Sequence, residues 1–135
     1  MEKKNLIEEA KRYVDNAHNT LKNNEEYDPV LRRYNDHKYV RAAGHYLWHA
    51  VMLALDSVFY VRADRRTRVD IDAYREAVRK RDRKLLALLN DSYQTLHIHM
   101  GYDGVLVKDT CDAGFRITND IISRCERMRL TSPET

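Results

Sequence analysis

The chain has 135 residues, enough for one domain that buries most of its apolar surface around a single core. Its 4 Gly and 2 Pro are too few for the many turns of a β-sandwich or barrel, and no apolar run reaches the ~20 residues of a membrane span. The net charge of +3 hides an uneven spread: residues 62–84 hold the densest run of Arg and Lys.

The elements follow in chain order. Asn5 to Lys22 forms the first expected helix, with Leu6, Ala10, Tyr13, Val14, Ala17 and Leu21 on one apolar stripe. Tyr27-Asp28-Pro29 marks a turn, because Pro29 pushes Asp28 away from helical backbone angles. Val30 to Asp36 is a short connection, and Asp36 is placed to cap the next helix.

The second helix, expected over Lys38 to Arg62, is apolar round most of its circumference and so must be buried on most sides. Its one narrow polar stripe is Lys38, Arg41, His45, His49 and Asp56, with Met52 among them. Gly44 in mid-helix costs about 1 kcal/mol relative to Ala, which implies close approach of a neighbouring backbone.

Arg62 to Val69 reads as a basic loop. A third helix should begin at Asp70 or Asp72 and run to Met100, as one helix or as two if the charged block Arg79 to Lys84 breaks it. Gly101-Tyr102-Asp103-Gly104 is a stop signal, with Gly101 suited to the left-handed position after a helix. His99 is expected on the core side of its helix and His97 at the edge. The last helix spans Val105 to Met128, and Gly114 within it suggests close packing. Residues 1–130 thus form one domain, an all-α antiparallel bundle of four to five helices running up and down, and 131–135 form a flexible tail.

Cys111 and Cys125 lie 14 residues apart, about 21 Å along a helix, and cannot pair within the chain. They read as small buried hydrophobes. The opening residues lead straight into an amphipathic pattern with no apolar leader, so the expected location is the cytoplasm, away from any membrane.

Candidate functional residues fall into three groups. Arg41, His45 and His49 are successive i, i+4 neighbours, so they share one line along the helix; they face solvent, or a groove or dimer cleft in which a histidine acts in acid–base work or binding. His45 and His49, with His97 or His99 near in space, are the weak candidates for a metal site, which lacks an accompanying carboxylate motif. Arg62, Arg65, Arg66, Arg68, Arg79 and Arg83 are the candidates for nucleic-acid contact, although charge runs on helices are commonly just solvated faces. No Gly-rich phosphate loop, Cys-x-x-Cys pair or Gly-x-Ser-x-Gly elbow occurs, and no cofactor is implied.

Three stretches together resemble a bacterial family of small all-helical proteins of unknown function. They are Glu9 to Tyr13, the run Lys38-Tyr-Val…Ala43-Gly-His…Ala54-Leu-Asp56, and Leu96-His-Ile-His-Met-Gly-Tyr-Asp-Gly104. That family is similar in turn to the HEPN superfamily of antiparallel bundles. The resemblance implies a HEPN-like bundle, often a homodimer, and in some members an RNase with an Arg-x(4–6)-His motif or a toxin–antitoxin component. The literal matches here, Arg12-x5-His18 and Arg32-x4-His37, number about what chance gives at this composition, roughly two, and Arg41-x3-His45 misses the spacing. The expectation is therefore a non-catalytic, homodimeric interaction module, with an RNA- or nucleotide-directed protein as the alternative and a small metal-binding bundle as the third.

Overall fold

The computed structural model describes residues 3–59 and 71–131, with side chains from residue 5 onward. Among them are five α-helices and one π-helix around one hydrophobic core. The first, α1, is Lys3–Asn24, and it buries Ile7, Ala10, Val14, Ala17 and Leu21. Leu6 and Tyr13, expected on the inner stripe, are only half-buried at its flank.

Residues 25–36 are held by reciprocal clamps. Asp36 N–H donates to Glu25 Oε1 at 2.8 Å, and Glu26 N–H donates to Asn35 Oδ1 at 3.1 Å. Between them Asp28 and Arg33 exchange backbone hydrogen bonds round the Pro29 turn. Asp28 Oδ1 accepts from both Val30 and Leu31 N–H, so the tip is internally satisfied while Val30 (87%) and Leu31 (64%) stay exposed.

The central helix α2 is His37–Asp56, capped as expected by Asp36, whose carboxylate accepts from Lys38 N–H at 2.9 Å. It packs on α1, on α5 and on the π-helix, which is why Val40, Ala43, Leu47, Ala50, Val51, Ala54 and Leu55 are all fully buried. Each large apolar side chain enclosed this way contributes about 1.5–3 kcal/mol. The helix stops at Asp56, six residues before the expected end, where Ser57 turns its hydroxyl back onto Ala54 O at 2.6 Å. The basic stretch from 60 to 70, including Asp70, lies outside the described residues.

The expected third helix is divided. Helix α3 is Ile71–Arg81 and α4 is Arg83–Ser92. Asp82 separates them, with φ −158° and ψ 102°, and its side chain caps α4 by accepting from Leu85 N–H at 3.0 Å. What fixes the break there is Arg124, on the last helix, which grips the same carboxylate at 2.7 and 3.1 Å. Asp72 falls within the first turn of α3.

From Tyr93 to Tyr102 the helix widens into a ten-residue π-helix, π1, in which amides reach five residues back. Gly101 lies inside it, and the left-handed residue is Gly104, at φ +64°. A side chain on Gly44 would sit 2.6 Å from Gly101 N and 2.9 Å from Leu96 O, so α2 and π1 touch backbone to backbone. The close approach that the sequence implied at Gly44 is met by the widened turn. The wider turn also changes where His99 faces: it is exposed, not on the core side as read at ordinary helical pitch, while His97 is half-buried, as expected at the edge.

The last helix, α5, is Lys108–Thr131, which starts and ends three residues later than expected and leaves 132–135 outside the described set. Cys111 and Cys125 both point into the core from this one helix. Gly114 makes room for Met100, whose Sδ lies 2.7 Å from where a Cβ would stand.

Candidate functional site

The polar stripe of α2 emerges between α1 and π1. Lys38, Arg41, His45 and His49 are all exposed, while Trp48 and Met52 beside them are half-buried. Asp56 leaves the stripe: its Oδ1 accepts from Tyr74 OH of α3 at 2.6 Å. Burial first, and then that hydrogen bond, push the Tyr74 phenol far up.

The two central histidines diverge. His49 lies against the Tyr13 ring of α1, with centroids 4.4 Å apart, and Tyr46 adds a second tyrosine at 6.1 Å from Tyr13. His45 turns the other way, toward Gly101 of π1. Arg41 donates from Nε to the Tyr102 carbonyl at 3.2 Å and so ties the stripe to the end of π1.

On the π1 side a cluster of rings closes round Trp48. His97 lies 5.7 Å from it and Tyr93 5.9 Å, and those two are 5.2 Å from each other. Arg75 of α3 covers Tyr93 with its guanidinium at 5.1 Å, held there by Asn90 and Asp72. His97 Nδ1 is buried and has no hydrogen-bond partner among the described residues. The result is a belt of rings from three elements, with Tyr13, Tyr46 and His49 along the α1 side of the stripe and Trp48, His97 and Tyr93 along its π1 side.

The electrostatics of this face are one-sided. No Asp or Glu occurs from His37 to Leu55 or from Tyr93 to Tyr102, yet five of the six histidines of the chain lie in those two runs, with Lys38 and Arg41. Among the described residues, carboxylates stand at its edges: Asp103 at 4.0 Å from His99, Asp36 and Glu25 at the start of α2, and Asp56 against Tyr74.

The other candidates are scattered. Arg62, Arg65, Arg66 and Arg68 lie outside the described residues. Arg79 pairs with Glu76 at 2.8 Å, and Arg83 is exposed at the start of α4. The members of the literal Arg–His matches are each engaged apart: Arg12 with Glu9, His18 stacked on Phe115 at 3.8 Å, Arg32 with Asp109, and His37 Nδ1 with Gly104 O at 2.6 Å. His45, His49 and His97 point to different neighbours, and no group of three or more His, Cys, Asp or Glu suited to a metal occurs among the described residues. Burial pushes both thiols up to about 12, which makes them poor nucleophiles.

Sequence periodicity found the stripe but missed its flanks. Tyr13 reads as core on a helical projection, while Tyr93 and Arg75 come from elements whose relation to α2 is fixed only by the packing of π1. The one local signal was the i, i+4 pairing of Tyr93 with His97.

No helix among the described residues is long and apolar enough to cross a membrane. No curated protein matches the chain. A solved structure of a protein of unknown function from Dyadobacter fermentans matches with a TM-score of 0.85 and 33% identity, covering 94% of this chain and 98% of that one. Residues 5–127 match the family model described as a domain of unknown function, DUF5618, and the chain belongs to that family.

Proposed function

We propose that the chain is a non-catalytic interaction module that works as a homodimer, with the ring belt between α1, α2 and π1 as its contact face. The observation that supports this reading is the belt itself: Trp48, Tyr13, Tyr93 and Met52, half-buried along the two sides of the α2 stripe, are residue types that dominate interface energetics. A second copy is the partner of choice because the face is self-compatible. Trp48 lies close to the middle of α2, and Lys38 is ten residues away, about 15 Å at helical rise. An antiparallel two-fold contact then sets rings against rings and leaves the lysines of the two copies about 30 Å apart, well beyond the ~8 Å screening length of physiological salt. The non-catalytic part of the reading rests on the divergence of His45 from His49, neither of which hydrogen-bonds a Ser, Thr or Cys among the described residues.

The test is the mass in solution. With a chain of 16.0 kDa, light scattering should give about twice that, and Trp48→Glu should give the single-chain mass with its helicity intact. Val30→Asp with Leu31→Asp, at the exposed turn, should leave the dimer unchanged. A wild-type mass of one chain would remove the reading.

An RNA- or nucleotide-directed role of the HEPN type is the second reading. Lys38 and Arg41 favour it, since both sit beside tyrosines and make no carboxylate pair among the described residues. It requires binding to a single-stranded RNA that weakens steeply with salt.

A further inference from the structure

We infer that the α2–π1 face is a proton-sensitive contact: the dimer holds while its histidines are neutral and opens when they charge. This rests on the dimer reading above. The geometry supplies the reason. Three of the histidines lie near the middle of the face: His97 packs on the Trp48 ring, and His45 and His49 sit on α2 within one turn of Trp48 in sequence, against Gly101 and Tyr13. In a two-fold contact that makes six imidazoles in one interface.

Among the described residues, their surroundings hold few unpaired negative charges. From α1, His49 meets the Tyr13 ring, and the nearby Glu9 is already paired with Arg12 at 3.3 Å. From π1, His45 meets Gly101, and Asp103 is drawn to His99 at the far end. From α3, Arg75 covers Tyr93 and brings its own positive charge, with Asp72 bound to it. Asp56 is taken up by Tyr74, and within α2 the only charged neighbours are Lys38 and Arg41. His97 adds a constraint of its own. Its Nδ1 is buried with no hydrogen-bond partner among the described residues, and its ring packs between Trp48 and Tyr93.

Histidine changes charge between about pH 5 and 8, so His45, His49 and His97 can add up to three positive charges per copy to a face that already carries Lys38 and Arg41. Bringing two such faces together in low dielectric is unfavourable, and proton binding must therefore oppose association by the same factor by which association opposes proton binding.

Sedimentation of the full chain at about pH 8 and about pH 5.5, at equal ionic strength, tests this. The dimer dissociation constant should rise at least about tenfold at the lower pH while far-UV circular dichroism stays unchanged. His45→Gln with His49→Gln, both exposed, should remove a large part of that rise, and adding His97→Gln should abolish it. A dimer whose constant moves less than about threefold, or variants that keep the full effect, would overturn the switch and leave the dimer standing. A single-chain mass at about pH 8 would overturn the dimer, and the switch with it.

Discussion

Replacing Asp82 with Ala should cost about 3 kcal/mol, because two separate interactions meet in one carboxylate. As the cap of α4 it accepts from Leu85 N–H, and loss of such a cap costs about 1 kcal/mol. As the partner of Arg124 it accepts two charged hydrogen bonds, at 2.7 and 3.1 Å, and a bond to a charged group contributes about 1.5–3 kcal/mol. The side chains are only 13% and 27% exposed, so solvent screening takes away little of this. Urea denaturation of Asp82→Ala against wild type measures the sum, and Asp82→Ser, which keeps a capping oxygen, should recover about 1 kcal/mol of it. The Arg124 hydrogen bond also holds the Asp82 carboxyl below its usual range. The contribution is therefore present above the unfolded value near 3.8 and is lost as pH falls through the lower folded value. Stability of wild type should fall through that acid window more steeply than stability of Asp82→Ser. A cost below about 1 kcal/mol for Asp82→Ala would refute the idea that Asp82 divides α3 from α4 through Arg124.

Three other outcomes are expected. Gly44→Ala should destabilise by about 3 kcal/mol or more in thermal melts, since its methyl meets the backbone of π1 at 2.6 and 2.9 Å and neither backbone can step aside. Glu25 is held above the usual carboxylate range chiefly by burial, so its charged form weakens the fold above its folded value and that loss fades as pH falls toward 4.5. Glu25→Gln, which can still accept from Asp36 N–H, should then be neutral to about 1 kcal/mol more stable at neutral pH, and a clear loss would contradict the burial argument. Cys111 and Cys125 should resist a thiol reagent at mild alkaline pH in the native protein and react at once in denaturant, because burial pushes both up to about 12.

What could be read in the sequence was what local chemistry decides. The cap at Asp36, the turn at Pro29, the buried circumference of α2 and the need for room at Gly44 all follow from residue type and spacing, and each has its counterpart in the structure. The break at Asp82 was visible only as a charged block, since its position depends on Arg124, 42 residues away. The π-helix left no local trace. Its widened turn belongs to the packing of Leu96 and Gly101 on Gly44, and ordinary helical pitch therefore put the exposed His99 on the core side. The same limit applies to the candidate site. Lys38, Arg41, His45 and His49 are legible as one line on one helix, but Tyr13, Tyr93 and Arg75 join them only through the fold.

The measurement that bears most directly on this account is the mass of the wild-type chain and of Trp48→Glu by light scattering near neutral pH. The wild type should give about twice 16.0 kDa and the variant the single-chain mass, both with full helicity. A wild-type protein of single-chain mass, or a Trp48→Glu protein that remains a dimer, would contradict it.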